Sequence, residues 1–68
     1  MQGKVVQCDK KKGYGFIKTN KGRIFFCFSG LMIPKRMIHI GSKVSFIERT
    51  YCNGGRIRKQ AIQVQLIQ

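Results

Sequence analysis

The residues best equipped for chemistry stand in one short run, Lys12-Gly13-Tyr14-Gly15-Phe16-Ile17. Tyr14 and Phe16 occupy alternate positions, so on an extended strand both rings face one way, with Lys18 following on the same face. Glycines flank Tyr14, which leaves its ring uncrowded and lets a ligand approach the backbone closely. A turn later comes Ile24-Phe25-Phe26-Cys27-Phe28-Ser29, with further rings at Phe25 and Phe28. Rings interleaved with cations suit single-stranded nucleic acid. Bases stack on aromatic faces, at about 1–3 kcal/mol per base, while lysines and arginines follow the phosphates. Stacking needs unpaired bases, so the pattern favours single strands over duplex.

Other chemistries find little to work with. Asp9 and Glu48 are the only carboxylates and His39 the only imidazole. A metal-dependent nuclease needs several carboxylates around its ions. A glycosidase needs two facing one bond. Asp9 falls in a turn and Glu48 in mid-strand, and no nucleophile elbow or P-loop pattern is present. His39 reads as a solvated loop residue. The expectation is a protein that is not an enzyme and has no cofactor, metal or small-molecule substrate. Cys8, Cys27 and Cys52 are odd in number, widely spaced and without a C-x-x-C pair, which indicates neither a disulfide framework nor a zinc finger. Were Cys8 and Cys27 neighbours on the binding face, their basic surround would favour thiolate and redox sensitivity. The plainer expectation is two small, half-buried thiols.

The scaffold carrying these residues is small and very basic. Among 68 residues, 14 Lys and Arg stand against two acids, for a formal net charge of +12. The length predicts one domain over residues 1–68, with a thin stability margin. Self-repulsion at that charge costs stability, and a polyanion relieves it. Ile24 to Phe28 is apolar but far short of the roughly 20 residues that span a bilayer. No leader pattern follows Lys4. Free thiols fit a reducing compartment. A soluble, cytoplasmic protein with no membrane partner is expected.

Short β-segments separated by turn residues fill the chain. Strands are predicted from about Gln2 to Cys8, Tyr14 to Thr19, Ile24 to Phe28, Lys43 to Tyr51 and Arg56 to Ile67. Asp9 to Gly13, Asn20-Lys21-Gly22 and Asn53-Gly54-Gly55 are turns. Ser29 to Ser42 is a long connection containing Pro34. Apolar residues never recur at helical spacing over three turns. The fold class predicted is all-β, a five-stranded antiparallel barrel of OB-fold size, because closure removes sticky edges. Alternation assigns Ile17, Ile24, Phe26, Val44, Phe46, Ile62 and Val64 to the core. Tyr14, Phe16 and Phe25 have the opposite parity and face outward. Phe28 has the core's parity and meets a ligand only if its strand bends at the end. Lys10-Lys11-Lys12 lines the phosphate path beside the rings. Arg56 and Arg58, with Lys59, extend that path or meet a second partner.

These segments resemble the cold-shock domain family over nearly the whole chain. Lys12 to Ile17 is similar to its first ribonucleoprotein motif and Ile24 to Ser29 to its second. Gly3-Lys4-Val5 resembles its opening strand, Gly41 to Phe46 its approach to strand four, and Ala61 to Val64 its ending. The resemblance implies an OB barrel that binds single-stranded RNA and DNA with weak sequence preference. It further implies an RNA chaperone or a regulator of transcription or translation. It places Lys12, Tyr14, Phe16, Phe25 and Phe28 at the family's binding positions; Lys4, Lys18 and Cys27 are further candidate binding residues. This chain also departs from the pattern. Val6-Gln7-Cys8-Asp9 stands where the family has Lys-Trp-Phe-Asn, Cys27 replaces a usual His, and Lys35 or a neighbour replaces a loop aromatic. Affinity is therefore expected to shift from stacking towards phosphates. An alternative is a ribosome-associated or protein-interacting OB module, resembling bacterial initiation factor one. The chain as an N-terminal piece of a longer protein is a further alternative. Monomer and strand-exchanged dimer both stay open.

Overall fold

The computed structural model describes residues 1–67. Five strands form in chain order: β1 (Gln2–Asp9), β2 (Tyr14–Thr19), β3 (Gly22–Cys27), β4 (Lys43–Asn53) and β5 (Arg56–Leu66). They close in a ring ordered β1-β2-β3-β5-β4. β1, β2 and β3 make an antiparallel meander, β4 and β5 a long antiparallel hairpin, and β1 pairs antiparallel with β4. The expectation of antiparallel pairing throughout needs one amendment. β3 and β5 run parallel where they meet, at Phe25↔Gln60 and Phe26↔Ala61. The β3–β4 connection holds two 3₁₀ turns, Phe28–Gly30 and Lys35–Met37.

The turns form where local chemistry requires them. Asp9 accepts hydrogen bonds from the backbone N–H groups of Lys11 (3.1 Å) and Lys12 (3.0 Å), so this carboxylate holds the first turn. Asn53↔Arg56 bracket Gly54 and Gly55, at φ 60° and 79°. Such positive angles at both central positions are what a tight hairpin with native twist needs.

The core is Val5, Ile17, Ile24, Phe26, Ile38, Val44, Phe46, Ala61 and Val64. Ile38 comes from the β3–β4 connection, which strand alternation does not cover. Ile62 is not in this set, contrary to its parity. Between the pairs Ser45↔Gln65 and Ile47↔Ile62, β5 spends one residue more than β4. Gln63 takes up the bulge at φ 52°. Ala61 and Val64 both turn inward, and Ile62 is left half-buried beside Ile47 on the outer side. β1 has a similar irregularity at Val6, between Val5↔Ile17 and Gln7↔Phe16. Among the described residues no helix is long and apolar enough to cross a membrane.

Candidate nucleic-acid interface

Strand register brings the outward rings together. Phe16 lies opposite Phe25, and Tyr14 opposite Cys27. The Tyr14 and Phe25 rings stack at 5.6 Å with 11° between planes, and Phe16 meets Phe25 edge-on at 5.8 Å. All three are half-buried, while Ile17, Ile24 and Phe26 on the reverse are buried. The three rings make one platform, with pair geometries near the optimum for aromatic quadrupoles.

A row of cations flanks the platform. Lys18 pairs with Arg23 across β2–β3, and Lys18 also pairs with Lys4, which in turn pairs with Lys43. Arg23 stands two residues before Phe25, and Arg58 two before Gln60, the parallel partner of Phe25. Lys43, Lys4, Lys18, Arg23 and Arg58 therefore follow one another around the outside of the ring, all exposed. Positions i and i+2 on a strand are about 7 Å apart on one face. The cation row thus runs parallel to the ring row at nucleotide scale, and both cross the strands.

The remaining predicted residues are placed differently. Lys12 is exposed in the β1–β2 turn, which is tied to the end of β3 by a hydrogen bond from the Phe28 N–H to the Gly13 carbonyl (2.9 Å). β3 ends at Cys27, so alternation no longer governs Phe28. Its ring is half-buried and stacks on the core ring of Phe26 at 6.1 Å. Cys27 is half-buried on the platform side, opposite Tyr14. Lys35 is exposed on the second 3₁₀ turn, outside the paired rows. Arg56 is exposed at the hairpin tip.

Two local expectations are corrected. Cys8 and Cys27 do not share a face. Cys8 is in register with Gly15 and packs against the core, and burial pushes its thiol pKa up despite the lowering effect of Lys10. Gly15 does not serve ligand approach. It is buried, and a Cβ there would collide with the Gln7 carbonyl oxygen and sit 2.9 Å from the Phe26 ring. Gly13, by contrast, meets nothing and is needed for its φ of 79°.

Sequence reasoning missed Arg23, Tyr51 and Ile57. They line one groove with Phe16, Phe25 and Arg58. Tyr51 is directly opposite Arg58 on the hairpin. The signal for Tyr51 was available in the strand-four alternation, but its neighbours come from the parallel β3–β5 contact. Lys59 is held by the half-buried Glu48 at 3.3 Å, an ion pair open to solvent on the lysine side and of little energetic weight. No cluster of three or more metal-ligating side chains occurs among the described residues.

Five strands in a ring, with a ring platform on the outer face of β2–β3 and a cation row crossing the strands beside it, fit a known domain type. The family model of the 'Cold-shock' DNA-binding domain matches residues 1–67. The chain belongs to the cold-shock domain family. That membership makes single-stranded nucleic acid its ligand class, and the family's members are typically non-catalytic binders. Comparison with curated proteins found no match.

Proposed function

We propose that this protein holds RNA or DNA strands unpaired by laying them across β2 and β3. Bases rest on Tyr14, Phe16 and Phe25, and phosphates follow Lys18, Arg23 and Arg58. The carrying observation is the contiguous platform of three outward rings beside a parallel row of cations. Lys12 and Phe28 sit at the platform's turn end, with Cys27 between Tyr14 and Phe28 in sequence. Lys4, Lys35 and Arg56 add charge at the periphery. Because a stacked base is withdrawn from pairing, binding opens hairpins. That is the basis of a chaperone role on RNA, or of control of transcription or translation by removing a hairpin. The protein acts as a monomer in this reading, and light scattering distinguishes it from a strand-exchanged dimer.

Fluorescence anisotropy of a labelled single strand and its duplex, across a salt series, tests the proposal. Tight single-strand binding that survives moderate salt, with weaker duplex binding, supports the platform. Equal binding to both, vanishing together as salt rises, means that charge alone acts. One observation favours a protein or ribosomal partner instead: Met32, Met37 and Ile40 are exposed along the β3–β4 connection. Preference for a folded RNA–protein assembly over a short strand would support that alternative.

A further inference from the structure

Beyond Phe25 lies an open groove of about 570 Å³ that reaches onto the β4–β5 hairpin, lined by Phe16, Phe25, Arg23, Tyr51, Ile57 and Arg58 among others. That volume lies within the roughly 300–1,000 Å³ of ligand clefts. No carboxylate lines it. The register explains its chemistry. Tyr51 faces Arg58 across the hairpin, on the same side of the sheet as Gln60 and its partner Phe25. Ile57, 77% exposed, puts an apolar side chain beside them. Arg23 and Arg58 both line the groove, each two residues before the paired Phe25 and Gln60 of parallel β3 and β5, and the ion pair found among the described residues, Lys59 with Glu48, involves neither. Two guanidiniums lining one groove repel each other, and an anion in the groove relieves the repulsion. Their planar forks suit a phosphate. On the opposite flank of the platform, the β1 residue facing Phe16 is Gln7, which offers no ring. The stacking surface continues in one direction only, towards the hairpin.

We infer that this groove seats a further nucleotide of the bound strand, its base on Tyr51 and its phosphate between Arg23 and Arg58. The strand then runs from the three rings onto the hairpin. This inference rests on the single-strand binding proposed above and gives that binding a direction.

The chain has two tyrosines and no tryptophan, so in Tyr14→Phe the emission of Tyr51 is observed alone. Titration with an oligothymidylate of about eight nucleotides, within OB-fold site sizes, should quench that emission with the same midpoint as anisotropy. Tyr51→Ala should weaken binding of this strand roughly 5- to 100-fold, and Tyr51→Phe should keep it. Arg23→Gln should flatten the salt slope by about 0.7. Unchanged Tyr51 emission at saturation, with Tyr51→Ala binding as tightly as wild type, overturns the inference. If Phe25→Ala is weak under those conditions, the platform stands and only the groove falls. If Phe25→Ala also binds as wild type, the platform itself is lost and the groove with it.

Discussion

At the scale of the residue, the two sides of one strand have separate tasks. Phe25 and Phe26 are neighbours in sequence, yet one ring is half-exposed in the platform and the other is buried. Phe16→Ala or Phe25→Ala should weaken single-strand binding by about 1–3 kcal/mol and leave thermal unfolding nearly unchanged. Phe26→Ala should cost about 3–5 kcal/mol, most of the stability of a domain whose total is on the order of 5 kcal/mol. Loss of fold in the first pair would make those rings core. Gly15→Ala is a sharper test of packing. Its methyl must displace the Gln7 carbonyl or the Phe26 ring, and destabilisation of about 1–3 kcal/mol should be read in denaturant titration. The cysteines give an order of reactivity. Cys8 has a raised thiol pKa through burial, whereas Cys52 is exposed. Mass spectrometry after brief alkylation at neutral pH should find Cys52 modified before Cys8. A thiol pKa raised by folding also means that the stability from keeping Cys8 neutral is present below its unfolded pKa. It is lost as pH rises through the folded value.

At the scale of the element, alternation and turn chemistry are local signals, and they located the five strands to within about two residues at nearly every end. The platform was legible for the same reason. Tyr14, Phe16 and Phe25 need only period-two geometry and one short hairpin. What alternation misses is a residue that breaks the period. The Gln63 bulge reverses parity along β5, so Ile62 leaves the core and Val64 stays in it. No composition cue marks Gln63, because glutamine is not a residue that favours positive φ. Ile38 was missed because a connection has no period to read. Tyr51 and Arg58 face each other through the hairpin register, but Arg23 joins them only because β3 and β5 pair in parallel over a long sequence separation, and neither strand alone encodes that contact. The bulge is testable. Gln63→Val places a β-branched side chain at φ 52° and should lower stability by about 1–2 kcal/mol. Gln63→Gly should be at least as stable as wild type in thermal unfolding.

At the scale of the molecule, charge affects folding and binding in opposite senses. With a net charge of +12, the free protein repels itself, and added salt should raise its melting temperature. The same salt should weaken strand binding, with log K falling by about 0.7 per phosphate contact per log unit of salt. A slope no steeper than about −1 would show that phosphates contribute little and that stacking carries the affinity.

The parallel junction of β3 and β5 is only two residue pairs long, and β1 meets β4 over three. The molecule is thus a meander and a hairpin sewed together along thin seams. Local opening follows such seams at less than the cost of global unfolding. Amides that bond across the β3–β5 junction should therefore exchange faster than those that bond between β4 and β5 within the hairpin. A strand lying on Phe25 and Arg58 crosses the seam. It acts as a stitch, and its arrival should slow exchange most where the free protein opens most readily.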